Sequence, residues 1–204
     1  MTLSAATGVH AGAADDDGMS GTDRASRLVT TLLDGVGTRL AHSLGVAEQA
    51  ERASPLLVEP WRSALVPAAL LHDIGYNAEL ALAGFHPLDG ARYLRDQRWP
   101  QEVCRLVAWH TGAAAEGRLR GLDAELVDEF PEPPPEPAAA LAWADMTSSP
   151  CGERCSPQER LGEILLRYPP DSIVHGAITA STGGLLAAAS LVDQMLAEAR
   201  DADG

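Results

Sequence analysis

Apolar residues recur along much of the chain at the spacing of a helix. In the first such segment, about residues 23–44, they stand at every fourth position, which places them on one helical face: Leu28, Leu32, Val36 and Leu40. Gly35 and Gly37 allow this segment to divide into two helices, the second of which carries His42. No segment shows the convincing alternation of apolar and polar residues that predicts a strand.

A second stretch, Ala64–Ile74, is apolar on nearly every side, which predicts a central buried helix with a cap at Gly75. Three prolines stand where the first turn of a helix is expected, and Ser156 precedes the last of them as a cap. We therefore predict further helices over these approximate ranges: 87–97, 100–110, 137–147, 157–167 and 173–199.

The segments between and before these helices have a different composition. Residues 131–137, Pro-Glu-Pro-Pro-Pro-Glu-Pro, exclude a helix and predict a stiff surface connection. Residues 1–21 contain few large apolar side chains and predict a disordered leader. The remainder, residues 22–200, predicts an all-α fold: a single-domain, irregular bundle of about seven helices.

Composition supports packed helices and excludes some classes of function. Hydrophobic residues make up 46% of the chain but aromatic residues only 4%, so alanine, leucine and valine must form the core. The formal charge of −14 disfavours nucleic acid or a membrane surface as the main partner. No continuous apolar run reaches membrane-spanning length, and three cysteines without framework spacing favour a reducing compartment, so we expect a cytoplasmic protein.

Histidine and aspartate recur beside the apolar segments. An ionised aspartate at the end of a buried helix, such as Asp73 or Asp145, is costly unless a cation neutralises it, and the chain has no lysine. Imidazole and carboxylate together favour a divalent transition metal such as iron, manganese, zinc or nickel. The candidate ligands, in chain order, are His42, His72, Asp73, His86, His110 and Asp145.

The order of these residues and their flanking sequences resembles the HD-domain superfamily of metal-dependent phosphohydrolases. The resemblance extends over about residues 24–196 and includes Leu71-His72-Asp73-Ile-Gly75 and Ala142-Trp-Ala-Asp145-Met. It implies one metal held by His42, His72 and Asp145. It also implies a second metal held by His86 and His110, with Asp73 between the two ions. The alternative is that His86 only caps its helix and His110 contacts the substrate or lies behind the ligands.

The resemblance also implies a reaction. His72 and Asp73 would be catalytic, and a water between two cations would attack a phosphoester of a small phosphorylated substrate. The arginines nearest to ligands in sequence, Arg39, Arg92 and Arg118, are candidate phosphate contacts. Asp89, three residues after His86, is a candidate for orienting that imidazole.

Two other functions remain compatible with the same residues. One is an HD-type diiron oxygenase that acts on a small organic substrate, and the other is a non-catalytic module that binds a nucleotide. The sequence leaves open the substrate, the number and identity of the metal ions, and the oligomeric state.

Overall fold

Helices account for the regular structure of residues 18–202, the part of the chain that the computed structural model describes. The all-α prediction is confirmed, because no strand occurs in this range beyond an isolated bridge between Ser148 and Arg154. Short 3₁₀ turns follow α2 and α3. The ten helices are α1 Gly21–Leu33, α2 Arg39–Ala53, α3 Trp61–Leu71, α4 His86–Asp96, α5 Gln101–Trp109, α6 Ala113–Arg120, α7 Asp123–Glu129, α8 Pro135–Met146, α9 Pro157–Arg167 and α10 Ile173–Ala202.

The first periodic segment forms two helices, as the glycines in it allow. Gly35 and Gly37 both have positive φ, 74° and 54°, and separate α1 from α2. The side chain of Ser20 accepts a hydrogen bond from the Asp23 N–H and begins α1 at Gly21. Most of the predicted leader, residues 1–17, lies outside the described residues.

Two helices without a polar face form the centre of the fold. Nearly all of α3 is buried, as is every residue of α8 from Ala139 to Met146. Helices α1, α2 and α5 pack against α3, and α2 and α10 pack against α8. Leu65 and Leu71 are fully buried, and each such leucine contributes about 1.5–3 kcal/mol of hydrophobic free energy.

The sequence predicts that Gly75 caps α3, and this prediction is wrong. The helix ends at Leu71, and Gly75 lies in the 3₁₀ turn Ile74–Tyr76. A Cβ atom built on Gly75 would lie 2.1 Å from the backbone oxygen of His86, so only glycine permits this approach. The contact brings the residues after α3 against the start of α4.

The proline-rich segment contains the start of a helix, which corrects the prediction for residues 131–137. Helix α8 begins at Pro135, and Pro137 also lies in its first turn. Prolines are tolerated there because the first N–H groups of a helix have no intrahelical acceptor. Helices α6 and α7, short and with weak periodicity, are absent from the predicted set.

Helix α9 forms at its predicted bounds and packs over a second, smaller core. Ser156 and Glu159 form a reciprocal capping box at its start. Leu161 and Ile164 of α9 cluster with Met146 of α8 and Ile178 of α10. This cluster fixes which face of α9 is directed toward the centre of the molecule.

Helix α10 is the one helix of residues 18–202 that is long and apolar enough to cross a membrane by length and composition alone. Its most apolar 18-residue window has a mean hydropathy of 1.2, and 22% of that window is buried. Gly, Ser and Thr interrupt the apolar residues of this helix, so it contains no continuous apolar run of membrane-spanning length. Length and composition do not separate such a helix from a helix of a folded domain.

Candidate metal centre

The six candidate ligands come from five separate helices but converge on one place. His42 lies in α2 and Asp145 in α8, whereas the other four lie at or next to helix ends. His72 and Asp73 directly follow α3, His86 is the first residue of α4, and His110 directly follows α5. Five of the six are buried, and His86 is partly exposed.

The ligand atoms form two groups of three. His42, His72 and Asp145 make one group, and Asp73, His86 and His110 make the other; within each, the ligand atoms lie within 4.8 Å of one another. Oδ1 of Asp73 lies 3.5 Å from Nε2 of His72 and 3.6 Å from Nε2 of His86. Asp73 therefore lies between the two groups, in the arrangement that the resemblance implies.

Backbone carbonyls fix the orientation of three of the four imidazoles. Nδ1 of His72 donates to the Ala69 carbonyl at 2.7 Å, and Nδ1 of His110 donates to the Val107 carbonyl at 2.7 Å. Nδ1 of His42 donates to the carbonyl of Ser149 at 3.1 Å. In a neutral imidazole the lone pair is then on Nε2, the atom that each ring directs into the cluster.

These lone pairs have few donors among the described residues, and that of His42 accepts a hydrogen bond from Nη2 of Arg160 at 3.2 Å. Nε2 of His72 is buried without a hydrogen-bond partner. Nε2 of His110 lies 3.1 Å from Nε2 of His86, and Nε2 of His42 lies 3.0 Å from Oδ1 of Asp145. A buried acceptor without a donor is costly, and a divalent cation within each group would satisfy all of these atoms. The residues therefore fit metal ions.

The two carboxylates are ionised at neutral pH despite their burial. Burial raises the pKa of Asp73, but His72 and Arg39 hold it well below its usual range. Because His72 itself is neutral above about pH 4, the cation that acts on Asp73 near pH 7 is Arg39, whose Nη1 lies 2.8 Å from Oδ2. Burial also raises the pKa of Asp145, but His42 and other neighbours lower it overall.

Two imidazoles are neutral for the same physical reason. Burial lowers the pKa of His72 to about 4, and burial together with the nearby His110 lowers the pKa of His86 well below its usual value. Ionised carboxylates and neutral imidazoles are the protonation states in which these side chains bind metal. These two carboxylates and two imidazoles therefore need to release few protons before they bind an ion near neutral pH.

Arg39 is the one predicted phosphate contact that lies at the cluster. It stands one turn before His42 on α2, and besides pairing with Asp73 it donates to the hydroxyl of Tyr168 at 3.2 Å. Its guanidinium lies 3.8 Å from the centroid of the Tyr76 ring, which stacks on His86 at 4.0 Å. Arg39 thus contacts Asp73 directly and His86 through the Tyr76 ring, and both of these ligands belong to the second group.

The other two predicted phosphate contacts lie elsewhere, and the prediction for them is corrected. Arg92 pairs with Glu125 and Glu129 of α7. Arg118 donates to the Ala114 carbonyl and lines a separate surface groove between α6 and α10. Neither of the two lines the cleft that contains the cluster.

Asp89 also differs from its predicted role. Its carboxylate accepts hydrogen bonds from the backbone N–H groups of Ala83 and Phe85, at 2.8 and 3.2 Å. It therefore stabilises the turn into α4, and its effect on His86 is through the position of the helix start.

The cluster opens into a cleft of about 430 Å³, including the solvent at its mouth. Sequence reasoning missed several residues that line it: Tyr76, Thr111, Arg160, Arg167 and Tyr168. For Arg160 a signal was present, because it shares the apolar face of α9 with Leu161 and Ile164. A cation on the buried face of an amphipathic helix indicates a specific partner.

Comparison with known proteins gives one match. The family model described as "HD domain" matches residues 39–149, more than half of the chain and all six candidate ligands. No curated protein and no solved structure matches the chain.

Proposed function

Because the chain belongs to the HD-domain family, whose members are in general metal-dependent hydrolases, we propose that it is a phosphohydrolase of a nucleotide or another small phosphorylated metabolite. The observation that carries this proposal is the cluster of six ligands, in which three imidazoles direct their lone pairs inward and two carboxylates are ionised. Such a set suits two divalent ions such as iron or manganese, with zinc and nickel as alternatives.

The residues have separate roles in this proposal. His42, His72 and Asp145 would hold one ion, and His86 and His110 would hold the other, with Asp73 within reach of both. The ions, when bound, lower the pKa of a water and offset the charge that develops on the phosphoryl group. Asp73 orients the attacking water, and Arg39 keeps Asp73 ionised.

The surroundings of the cluster favour a small substrate. Besides its charged residues, the cleft is lined by the apolar side chains of Ile164, Val174 and Ile178. Its volume, about 430 Å³, suits a metabolite better than a polymer. The formal charge of −14 also disfavours nucleic acid and anionic membranes as partners, and we place the protein in the cytoplasm on the sequence criteria above.

The first experiment measures metal content after anaerobic purification. We expect close to two transition-metal ions per chain, one fewer in His86→Ala, and no loss in the matched control His175→Ala, whose residue lies in α10 and does not line the cleft. One ion in both the wild type and His86→Ala would refute the dinuclear arrangement. It would leave the family assignment unchanged.

The second experiment tests the reaction with a panel of nucleotides and sugar phosphates under argon and under air. A hydrolase should release phosphate equally under both gases and with manganese in place of iron, because no electron leaves the metal. Failure to cleave any phosphoester, with dioxygen consumption by the iron-loaded protein on an organic substrate, would establish the oxygenase alternative. Nucleotide binding without turnover under either gas would indicate the non-catalytic module.

A further inference from the structure

A buried arginine from outside the matched part of the chain reaches the metal-ligand cluster. Arg160 lies on α9, is only 4% exposed, and lines the cleft. We propose that Arg160 binds an anionic oxygen of the substrate's phosphate group beside His42 and Asp145, an inference that rests on the proposed function. The family match ends at residue 149, and Arg160 is not close to a candidate ligand in sequence. Neither feature therefore identifies Arg160 as a binding residue.

The fold determines that this side chain faces the cluster. The capping box of Ser156 and Glu159 sets the start of α9, and Leu161 and Ile164 anchor the same face of the helix in the second core. Arg160 is adjacent to these residues on that face. The guanidinium is therefore held at the cleft by the packing of the helix and is not free to turn into solvent.

The hydrogen bonds of Arg160 are incomplete on one edge. Nη1 donates to Glu163 at 2.6 Å, whereas Nε is buried without a partner. Nη2 donates to Nε2 of His42 at 3.2 Å and lies 3.6 Å from Oδ1 of Asp145. Nε and Nη2 share one edge of the planar guanidinium, the fork that matches two oxygens of a phosphate.

Metal binding would remove the acceptor on this edge. The lone pair of His42 Nε2 that accepts from Nη2 is the same lone pair that the first group offers to an ion. Once that lone pair is taken, Nε has no acceptor and Nη2 has only the Asp145 carboxylate at 3.6 Å, beyond a normal hydrogen bond, next to a cation of like charge. A phosphate oxygen at this edge satisfies the donors and separates the two positive charges.

The nearby charges leave Arg160 available for an anion. Glu163 is shared between Arg160 and Arg167, so the three side chains together carry one net positive charge at the cleft. The third arginine of the cleft, Arg39, is already paired with Asp73. The partly unsatisfied edge of Arg160 is therefore the better candidate for phosphate.

The test uses inorganic phosphate as the probe and titration calorimetry on the metal-loaded full chain. We expect Arg160→Gln to retain its ions and to bind phosphate about 10- to 100-fold more weakly, the loss expected for a charge-assisted hydrogen bond. Arg160→Lys should recover part of this affinity, because it restores the charge without the fork. The matched control Arg118→Gln, away from the cleft, should bind phosphate like the wild type.

A second measurement does not depend on the folding of a variant at this buried position. In the zinc-loaded wild type, the Hε–Nε NMR signal of Arg160, assigned through its side-chain carbons to its own backbone amide, should shift downfield on addition of phosphate. Phosphate binding without this shift, or an Arg160→Gln variant that keeps its ions and its phosphate affinity, would overturn the proposal. A wild type that binds no phosphate would also overturn it. Phosphate binding that depends on Arg160, without hydrolysis of any phosphoester, would support the proposal while refuting the phosphohydrolase function.

Discussion

Gly45 and Gly152 hold the loop after α8 against α2, and this contact positions the carbonyl that orients His42. The Ser149 carbonyl accepts hydrogen bonds from His42 Nδ1 at 3.1 Å and from the Gly152 N–H at 2.9 Å. Gly152 thus connects the packing of the loop to the orientation of a ligand. We predict that Gly45→Ala weakens metal binding although Gly45 itself touches no ligand atom.

The structure gives the size of the perturbation. A Cβ on Gly45 would lie 2.2 Å from the Gly152 oxygen and 2.5 Å from its Cα, both of them backbone atoms. To restore ordinary contact the loop must retreat by about 1 Å, which breaks the hydrogen bond between Ser149 and His42. Loss of such a partner costs about 10- to 100-fold in metal affinity, and the overpacking itself costs about 1–3 kcal/mol of folding free energy.

Metal affinity should be measured by competition with a chelator of known affinity, at a temperature where the variant is folded. The matched control is Gly183→Ala on α10, because a Cβ there meets no atom within 4 Å. This control should bind metal like the wild type and gain up to about 1 kcal/mol of stability from the better helix former. A folded Gly45→Ala protein with wild-type metal affinity would refute the link between the loop and His42.

Three further predictions concern stability. Removal of the metal by a chelator should lower the melting temperature. An ion at a hundredfold excess over its dissociation constant adds about 2.7 kcal/mol per site to the free energy of unfolding. An unchanged melting temperature after verified metal removal would contradict this prediction. In the metal-free protein, the unfolded chain protonates His72 as the pH falls through about 6.5, whereas the folded chain does so only near 4. Stability in urea should therefore decrease as the pH falls through this window, by up to about 3 kcal/mol, and His72→Asn should flatten the dependence; an equal slope in the variant would assign the effect to other groups. Finally, Asp193→Ala removes the acceptor of the hydrogen bond from Trp143 Nε1–H, which is 2.9 Å long. In a denaturant melt the free energy of unfolding should fall by about 1–3 kcal/mol, without loss of metal. A variant as stable as the wild type would show that water replaces this bond.

The candidate ligands could be chosen from the sequence because each is an ionisable side chain in or beside an apolar segment. Asp73 and Asp145 follow or end apolar segments, where a carboxylate needs a cation, and four histidines flank similar segments. Their order along the chain also matches a family pattern. The division into two groups of three was implied only by that resemblance, because spacing in sequence does not give distances between five helices.

The arginines show why sequence proximity to a ligand is a poor guide to contact. Arg39 is three residues before His42, about 60° away around the helix, and it reaches the cluster. Arg92 is six residues after His86, about 120° away around α4, and it pairs with α7 instead. Arg160 is 118 residues from His42 yet lies 3.2 Å from it, because the packing of α9 against α8 and α10 brings them together.

The errors in the predicted helix ends also arise from tertiary contacts that the sequence does not show. The prolines at 135 and 137 argue against a helix by propensity, but the first turn of α8 does not need their N–H groups. Gly75 resembles a helix cap in sequence, and its real constraint is the backbone of His86, which lies eleven residues away in the chain and is known only from the fold. In both cases the residue type was informative, but the tertiary contact determined its role.

The charge of the whole chain and the charge of the cleft have different consequences for an anionic substrate. The formal charge of −14 is spread over the surface, and at physiological ionic strength its effect is screened beyond about 8 Å. Inside the cleft the near charges dominate, and there Arg39 pairs with Asp73, while Arg160 and Arg167 pair with Glu163. Glu116 also lines the cleft, and its charge is offset by Arg120. Bound cations would make this region more positive still, because six ligands supply only two negative charges. The overall acidity would therefore slow the arrival of an anionic ligand more than it would weaken the affinity of the cleft for that ligand.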